Sequence, residues 1–153
     1  MQTSRDPSLD ARQTAAWRGF LQAHALLVRE LDRELEATHG LPLHQYEVLL
    51  VLWRDECGRM RMSELAEQVF LSQSGLTRLV DRLERCGLVT RERCEQDRRG
   101  LYAQITDLGR ARLEAARATH LDGVRARFLD RFTSNELDHL VDAWDRIVTP
   151  PAR

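Results

Sequence analysis

The sequence predicts a mainly α-helical fold carrying one small β-hairpin. Three observations predict it. The stretch "LSQSGLTRLVDRLERCGLV", Leu71 to Val89, sets Leu76, Leu79, Val80 and Leu83 at i, i+3, i+4 and i+7, the pattern of one buried helix face. Two strand-like runs, "LVTRER" and "LYAQIT", follow it on either side of the polar tip "CEQDRRG". Long segments with apolar residues at helical spacing bracket this centre on both sides.

Taken in chain order, residues 1–9 read as a flexible tail. From about Asp10 to Thr38, Trp17, Leu21, Val28, Leu31 and Leu35 form a helical stripe widened by Phe20 and Leu27, and Gly40 ends it. Pro42 opens a second helix, "LHQYEVLLVLWRDE", with Tyr46, Leu49, Leu50 and Trp53 expected to face inward. Gly58 marks a turn, and the residues after it suit one short strand. "SELAEQVF" reads as a short helix with Ser63 as its cap. Leu71 and Ser72 break the chain, and the next helix runs to about Cys86, where Gly87 stops it. After the hairpin, Thr106 can cap a long helix from about Asp107 to Arg131, with Leu113, Ala116, His120, Val124, Phe128 and Phe132 on its apolar side. Thr133 and Glu136 form a capping-box pattern that opens a last helix carrying Leu137, Leu140, Val141, Trp144, Ile147 and Val148. This order is a helix-turn-helix with a β-hairpin behind it, a winged helix. Residues 10–150 are read as one domain, with 41–106 the winged-helix lobe and 10–40 and 107–148 flanking helices that need a partner to bury their apolar faces. A second copy of the chain is the simplest partner.

Composition narrows the class. The chain has 153 residues, 42% hydrophobic and 31% charged, ordinary for a globular protein with a core of its own. The N-terminal "MQTSRDPSLD" does not resemble a signal peptide, and no apolar run suits a membrane span, so a cytoplasmic location is expected. Cys57, Cys86 and Cys94 are an odd set that argues against a disulfide scaffold. The net charge of −1 argues against indiscriminate nucleic-acid binding, yet it leaves room for a local basic surface. All 23 basic residues are arginine, a bias that a GC-rich genome would produce.

The helix after the break opens with Ser72, Gln73 and Ser74 and turns Thr77, Arg78, Asp81 and Arg82 outward, where better helix formers would give more stability. In a helix-turn-helix the second helix enters the major groove of double-stranded DNA, and its first residues meet base edges. Small polar residues there allow close approach and hydrogen bonds to phosphates. Gln can pair with adenine, Arg with guanine, and a threonine methyl can touch thymine. The blander reading makes Ser72 an N-cap only and leaves Arg78 and Arg82 solvated. At the hairpin tip, Asp97, Arg98 and Arg99 suit insertion beside the minor groove, whose negative potential attracts a guanidinium. Asp97 could orient such an arginine through a paired hydrogen bond. The alternative is a solvated turn.

The stretches "GLPLHQYEVLLVL", "RMSELAEQVFLSQSGLTRLVDRLERCGLV" and "DRRGLYAQITDLGR" resemble the MarR family of bacterial winged-helix regulators, over roughly residues 15–148. The family's Asp-any-Arg wing pattern stands here as Asp97-Arg98-Arg99, and its Leu-Thr with a following glycine stands as Ile105-Thr106 and Gly109. The resemblance implies a triangular homodimer with interlocked terminal helices. Each protomer would present one winged helix to half of a pseudo-palindromic operator. It further implies a transcription factor, most often a repressor released by a small-molecule effector. Arg99 would be the minor-groove arginine and Asp97 its support.

For an effector space between the dimerisation helices and the DNA-binding lobe, the candidate lining is Trp17, His24, Tyr46, Trp53 and His120. Each also suits a core or interface role. A redox-sensing variant would need a low-pKa cysteine: Cys86, at a helix C-terminus, is disfavoured, whereas Cys57 near Arg54 and Arg59 is more permissive. A metal sensor would need clustered ligands, but His24, His39, His44, His120 and His139 are dispersed, so no metal or cofactor is expected. No phosphate loop, nucleophile motif or close carboxylate pair points to an enzyme. A winged helix used only for protein contacts should lack the polar and basic groups seen on the second helix and tip.

Overall fold

The computed structural model describes residues 8–93 and 100–149. Helix α1 spans Ala11–His39. Asp10 caps it, accepting from the Gln13 N–H at 2.7 Å while the Gln13 side chain accepts from the Asp10 N–H at 3.0 Å. Gly40, at φ 58°, turns the chain out of it in the left-handed conformation. Helix α2 spans Leu43–Arg54, and Pro42 is its N-cap, one position ahead of its first turn. Proline offers no capping side chain, and Asp32 of α1 supplies one instead, accepting the Leu43 N–H at 2.7 Å.

The buried face of α2 is Leu43, Tyr46, Val48, Leu49 and Leu52. This corrects the expected inward set in two places. Leu50 is only half-buried and Trp53 is 36% exposed, because Val48 and Leu52 take the core positions and rotate the stripe away from Trp53. Strand β1, Arg59–Arg61, runs directly into helix α3, Met62–Gln68. Ser63 therefore lies inside α3 and does not cap it; the N-cap place is held by Arg61. Strand pairing of Arg61 with Tyr102 and burial of Met62 fix where the helix starts. Val69 to Ser72 then lead into helix α4, Gln73–Arg85. Its buried residues are Leu76, Leu79, Val80 and Leu83, as the spacing predicts, and Gly87 stops it at φ 71°.

Strands β2, Val89–Arg93, and β3, Leu101–Ile105, pair antiparallel. The short strand expected after Gly58 joins this sheet: β1 pairs with the other edge of β3, giving the order β1-β3-β2. Its register puts Met60, Val89, Arg91, Ala103 and Ile105 on the core side. Arg59, Arg61, Glu92, Tyr102 and Gln104 share the other side. Helix α5 spans Asp107–Arg127, capped by the Thr106 hydroxyl, which accepts the Gly109 N–H at 3.0 Å. It ends four residues earlier than expected. The backbone leaves the helix at Phe128, and Leu129–Arg131 form a 3₁₀ turn, with the Phe128 and Phe132 rings edge-on at 5.2 Å. Helix α6, Ser134–Val148, opens with the predicted capping box, in which Thr133 N–H donates to Glu136 at 2.8 Å.

Two close approaches hold α5 in place. A Cβ on Gly123 would stand 2.8 Å from both Leu31 Cδ2 and Glu34 Oε2, so the glycine lets α5 cross α1 tightly. Beside it Arg127 grips Glu34 with two hydrogen bonds of 2.9 and 2.7 Å. A Cβ on Gly109 would collide with the Leu88 carbonyl oxygen and come within 2.9 Å of Ile105 Cγ1.

The core lies within the winged-helix lobe and the adjoining ends of α1 and α5. Leu35 is the buried residue of α1, and α6 has none. Trp17, Phe20 and Leu21 of α1 and Val141, Trp144, Ile147 and Val148 of α6 are exposed, from 37% at Trp144 to 72% at Ile147 and Val148. Phe20 and Trp144 touch at 5.4 Å, which joins the two helices into one apolar surface. Among the described residues no helix is long and apolar enough to cross a membrane.

Candidate nucleic-acid interface

Helix α4 is divided along its length. Its apolar residues are buried, while Ser72, Gln73, Ser74, Thr77, Arg78 and Arg82 are exposed. The structure thus brings these six predicted residues together at one surface. Their hydrogen bonds set what each can offer. Ser72 Oγ accepts the Gly75 N–H at 3.1 Å, so it does cap the helix; its own hydroxyl proton stays available to an outside acceptor, with Ser74 Oγ 3.3 Å away. Thr77 Oγ1 donates to the Gln73 carbonyl at 2.8 Å. That fixes the hydroxyl against its own helix and leaves the methyl as the group it presents. Arg78 and Arg82 make no side-chain ion pair among the described residues.

Asp81 departs from the expectation of an outward side chain. It is half-buried and paired with Arg91 of β2. Arg91 Nε also lies 3.6 Å from Glu84 Oε2, and the Arg91 N–H donates to Glu84 Oε1 at 3.3 Å. Arg91 is on the core side of the sheet, pairs with Asp81 and stands beside Glu84, and so partly neutralises both carboxylates of α4. The charge by which Asp81 would repel phosphate is thereby partly offset. Sequence reading had no signal for this, because the pairing depends on which face of β2 Arg91 occupies.

On the opposite side of the sheet, Arg59 and Arg61 each stand 5.4 Å from the Tyr102 ring, and Arg61 Nε donates to the Tyr102 hydroxyl at 3.1 Å. Asp97, Arg98 and Arg99, the predicted tip residues, lie outside the described residues, as does Cys94. Cys57 and Cys86 are exposed thiols.

The five candidate effector residues are not gathered in one place. Trp17 and His24 neighbour Phe20 on α1, with ring centroids at 6.0 and 6.3 Å, on the exposed apolar surface. Tyr46 and His120 stack at 4.5 Å between α2 and α5, and Trp53 lies on α2 beneath the Arg117 guanidinium at 5.0 Å. A cavity of about 600 Å³ is lined instead by Glu34, Thr119, Asp122, Gly123, Arg127 and Arg131. Its lining mixes small and charged residues, which a search for aromatics and histidines passes over.

Burial raises the Tyr46 pKa and lowers that of His120, whose buried Nδ1 has no hydrogen-bond partner among the described residues. The unfolded chain therefore binds a proton at His120 near the ordinary value of 6.5, where the folded chain resists it. Stability is expected to fall as pH drops below about 6.5. Thermal melting across this range checks it: His120→Phe, which keeps the ring stack, should flatten the acid limb, and an unchanged limb would remove His120 as its source.

Comparison with known proteins agrees with this architecture. The MarR family profile matches residues 39–100, from the end of α1 to the start of β3. The HTH-type transcriptional regulator TtmR of Methylorubrum extorquens is 37% identical over 109 residues, 71% of this chain and 54% of that protein. The chain thus spans about half the length of TtmR. Among solved structures, AbsC, a MarR family transcriptional regulator from Streptomyces coelicolor, is 36% identical, with 93% of this chain and 95% of that one superposed at a TM-score of 0.88. Sco3205, a MarR family regulator from the same organism solved in complex with DNA, is 33% identical over 97% of this chain and 95% of that one, at a TM-score of 0.90. With the fold matched end to end at this identity, the chain belongs to the MarR family.

Proposed function

We propose that this protein is a sequence-specific transcriptional regulator, not an enzyme, acting in the cytoplasm as a homodimer on a pseudo-palindromic DNA operator. The observation that carries the reading is the exposed face of α4: short polar side chains at its start, two arginines behind them that make no ion pair among the described residues, and nearby carboxylates partly neutralised by Arg91. Ser72 and Ser74 offer hydrogen bonds to phosphates, Gln73 and Arg78 reach base edges, Thr77 presents a methyl, and Arg82 lies along the backbone. Asp97, Arg98 and Arg99 belong to the same surface by their place between β2 and β3 in the sequence, with Arg99 entering the minor groove. Helices α1, α5 and α6 form the dimer interface, supported by their exposed apolar residues. Half-site centres then fall about 10 bp apart. Repression relieved by a small-molecule effector completes the reading, with Tyr46 and His120 the best-placed pair to respond to it.

Fluorescence anisotropy tests the assignment, using a duplex that the wild-type chain selects from a random pool and a scrambled duplex of equal composition. Arg78→Ala and Gln73→Ala are expected to reduce discrimination between them, by roughly 1–3 kcal/mol for whichever residue makes a bidentate base contact. If both variants keep the wild-type preference, α4 does not read bases. If the wild-type chain selects no duplex at all, the winged helix serves protein contacts instead.

A further inference from the structure

The turn between α3 and α4 contains the one non-glycine residue with positive φ among the described residues, Phe70 at 55°. Sequence periodicity absorbs it into the preceding helix, but α3 ends at Gln68. The bonds that close the turn are specific. Phe70 N–H donates to Glu67 O at 3.2 Å and Leu71 N–H to Ala66 O at 2.9 Å, the two bonds of a Schellman motif. The end of α4 repeats the motif, with Gly87 N–H to Glu84 O at 2.9 Å and Leu88 N–H to Leu83 O at 2.9 Å. At α4 the left-handed position holds glycine, which adopts it freely. At α3 the same position holds phenylalanine, which is strained there. Nor does the ring recover anything by burial, since Phe70 is 95% exposed. A strained backbone and an uncovered aromatic ring at one residue are both costs to the free protein, and such costs gather where a residue serves binding.

We propose that Phe70 is a DNA-backbone contact, its ring resting on the deoxyribose of the strand that borders the groove entered by α4. The inference rests on the DNA-binding reading above. Position supports it: Phe70 lies two residues ahead of the N-cap Ser72 and is exposed, as are Ser72, Gln73 and Ser74. Chemistry supports it as well. The sugar is the apolar part of a DNA strand, and a ring seated on it carries no charge to conflict with the neighbouring phosphates. A second copy of the chain is a poorer occupant, because a lone side chain lacks the area of about 1,200 Å² or more that a stable interface buries. A sugar contact needs no such area, because α4 supplies the rest.

The test compares Phe70→Gly and Phe70→Leu with the wild-type chain by anisotropy on the selected and scrambled duplexes, with salt series and thermal melts. Phe70→Gly is expected to raise the melting temperature and to weaken binding to both duplexes by roughly tenfold, the scale of losing an aromatic anchor. The slope of log affinity against log salt should stay at the wild-type value, because no cation is lost. Phe70→Leu should retain more affinity than Phe70→Gly. Phe70→Gly binding both duplexes within twofold of wild type overturns the proposal, as does a loss confined to the selected duplex or a changed salt slope. Failure of the wild-type chain to bind either duplex would overturn the DNA-binding reading, and this inference with it. Wild-type binding matched by Phe70→Gly overturns this inference alone.

Discussion

Gly109→Ala is expected to destabilise the protein by about 2 kcal/mol. The added methyl meets the Leu88 backbone carbonyl and Ile105 Cγ1, and neither gives way as a flexible side-chain end would. Leu88 leads into β2 and its carbonyl accepts the Thr106 N–H at 3.1 Å, so moving it disturbs the start of the hairpin and the cap of α5 together. Overpacking of this kind costs up to about 3 kcal/mol. Exchange of glycine for alanine in a helix returns about 1 kcal/mol. The net loss corresponds to a fall of roughly 4–8 °C in melting temperature for a chain of this size. Calorimetry or urea unfolding checks it, and a variant as stable as wild type would show that α5 can slide off Leu88 without penalty.

The second large effect is on assembly. Phe20→Asp combined with Ile147→Asp places charge on the apolar surface of α1 and α6 and is expected to yield a monomer in sedimentation. An obligate interface buries at least about 2,000 Å². Loss of the second half-site contact should weaken binding to the selected duplex by about 100-fold or more. The wild-type melting temperature should rise with protein concentration, and that of the monomeric variant should not. A dimer that survives both substitutions would place the interface elsewhere.

Local pattern made much of this fold legible. The buried stripe of α4, the stops at Gly40 and Gly87, the Thr106 cap and the Thr133–Glu136 box each depend on residues within one or two turns of one another. Features that depend on distant partners were not legible. Arg59–Arg61 is too short to declare itself part of the wing, and its pairing with Gln104, Ala103 and Tyr102 bridges more than forty residues. Trp53 had the type of a core residue, but Val48 and Leu52 occupy the core places on its helix. At the candidate interface, residue type and helical phase located Ser72 to Arg82 correctly on an exposed face, yet placed Asp81 there too, because its arginine lies on another element. The effector candidates were chosen by side-chain type alone, and type does not say which helices bring them together.

The Arg91 clamp also has a mechanical side. It fastens the C-terminal part of α4 to β2 through Asp81 and Glu84, so the helix and this strand turn as one piece. A helix and a strand held at fixed span behave as a calliper. They fit a duplex whose neighbouring grooves match that span, and a duplex of other twist must be wound or bent to fit. Under the DNA-binding reading, part of the selectivity then lies in how easily a sequence deforms, at base pairs that no side chain touches.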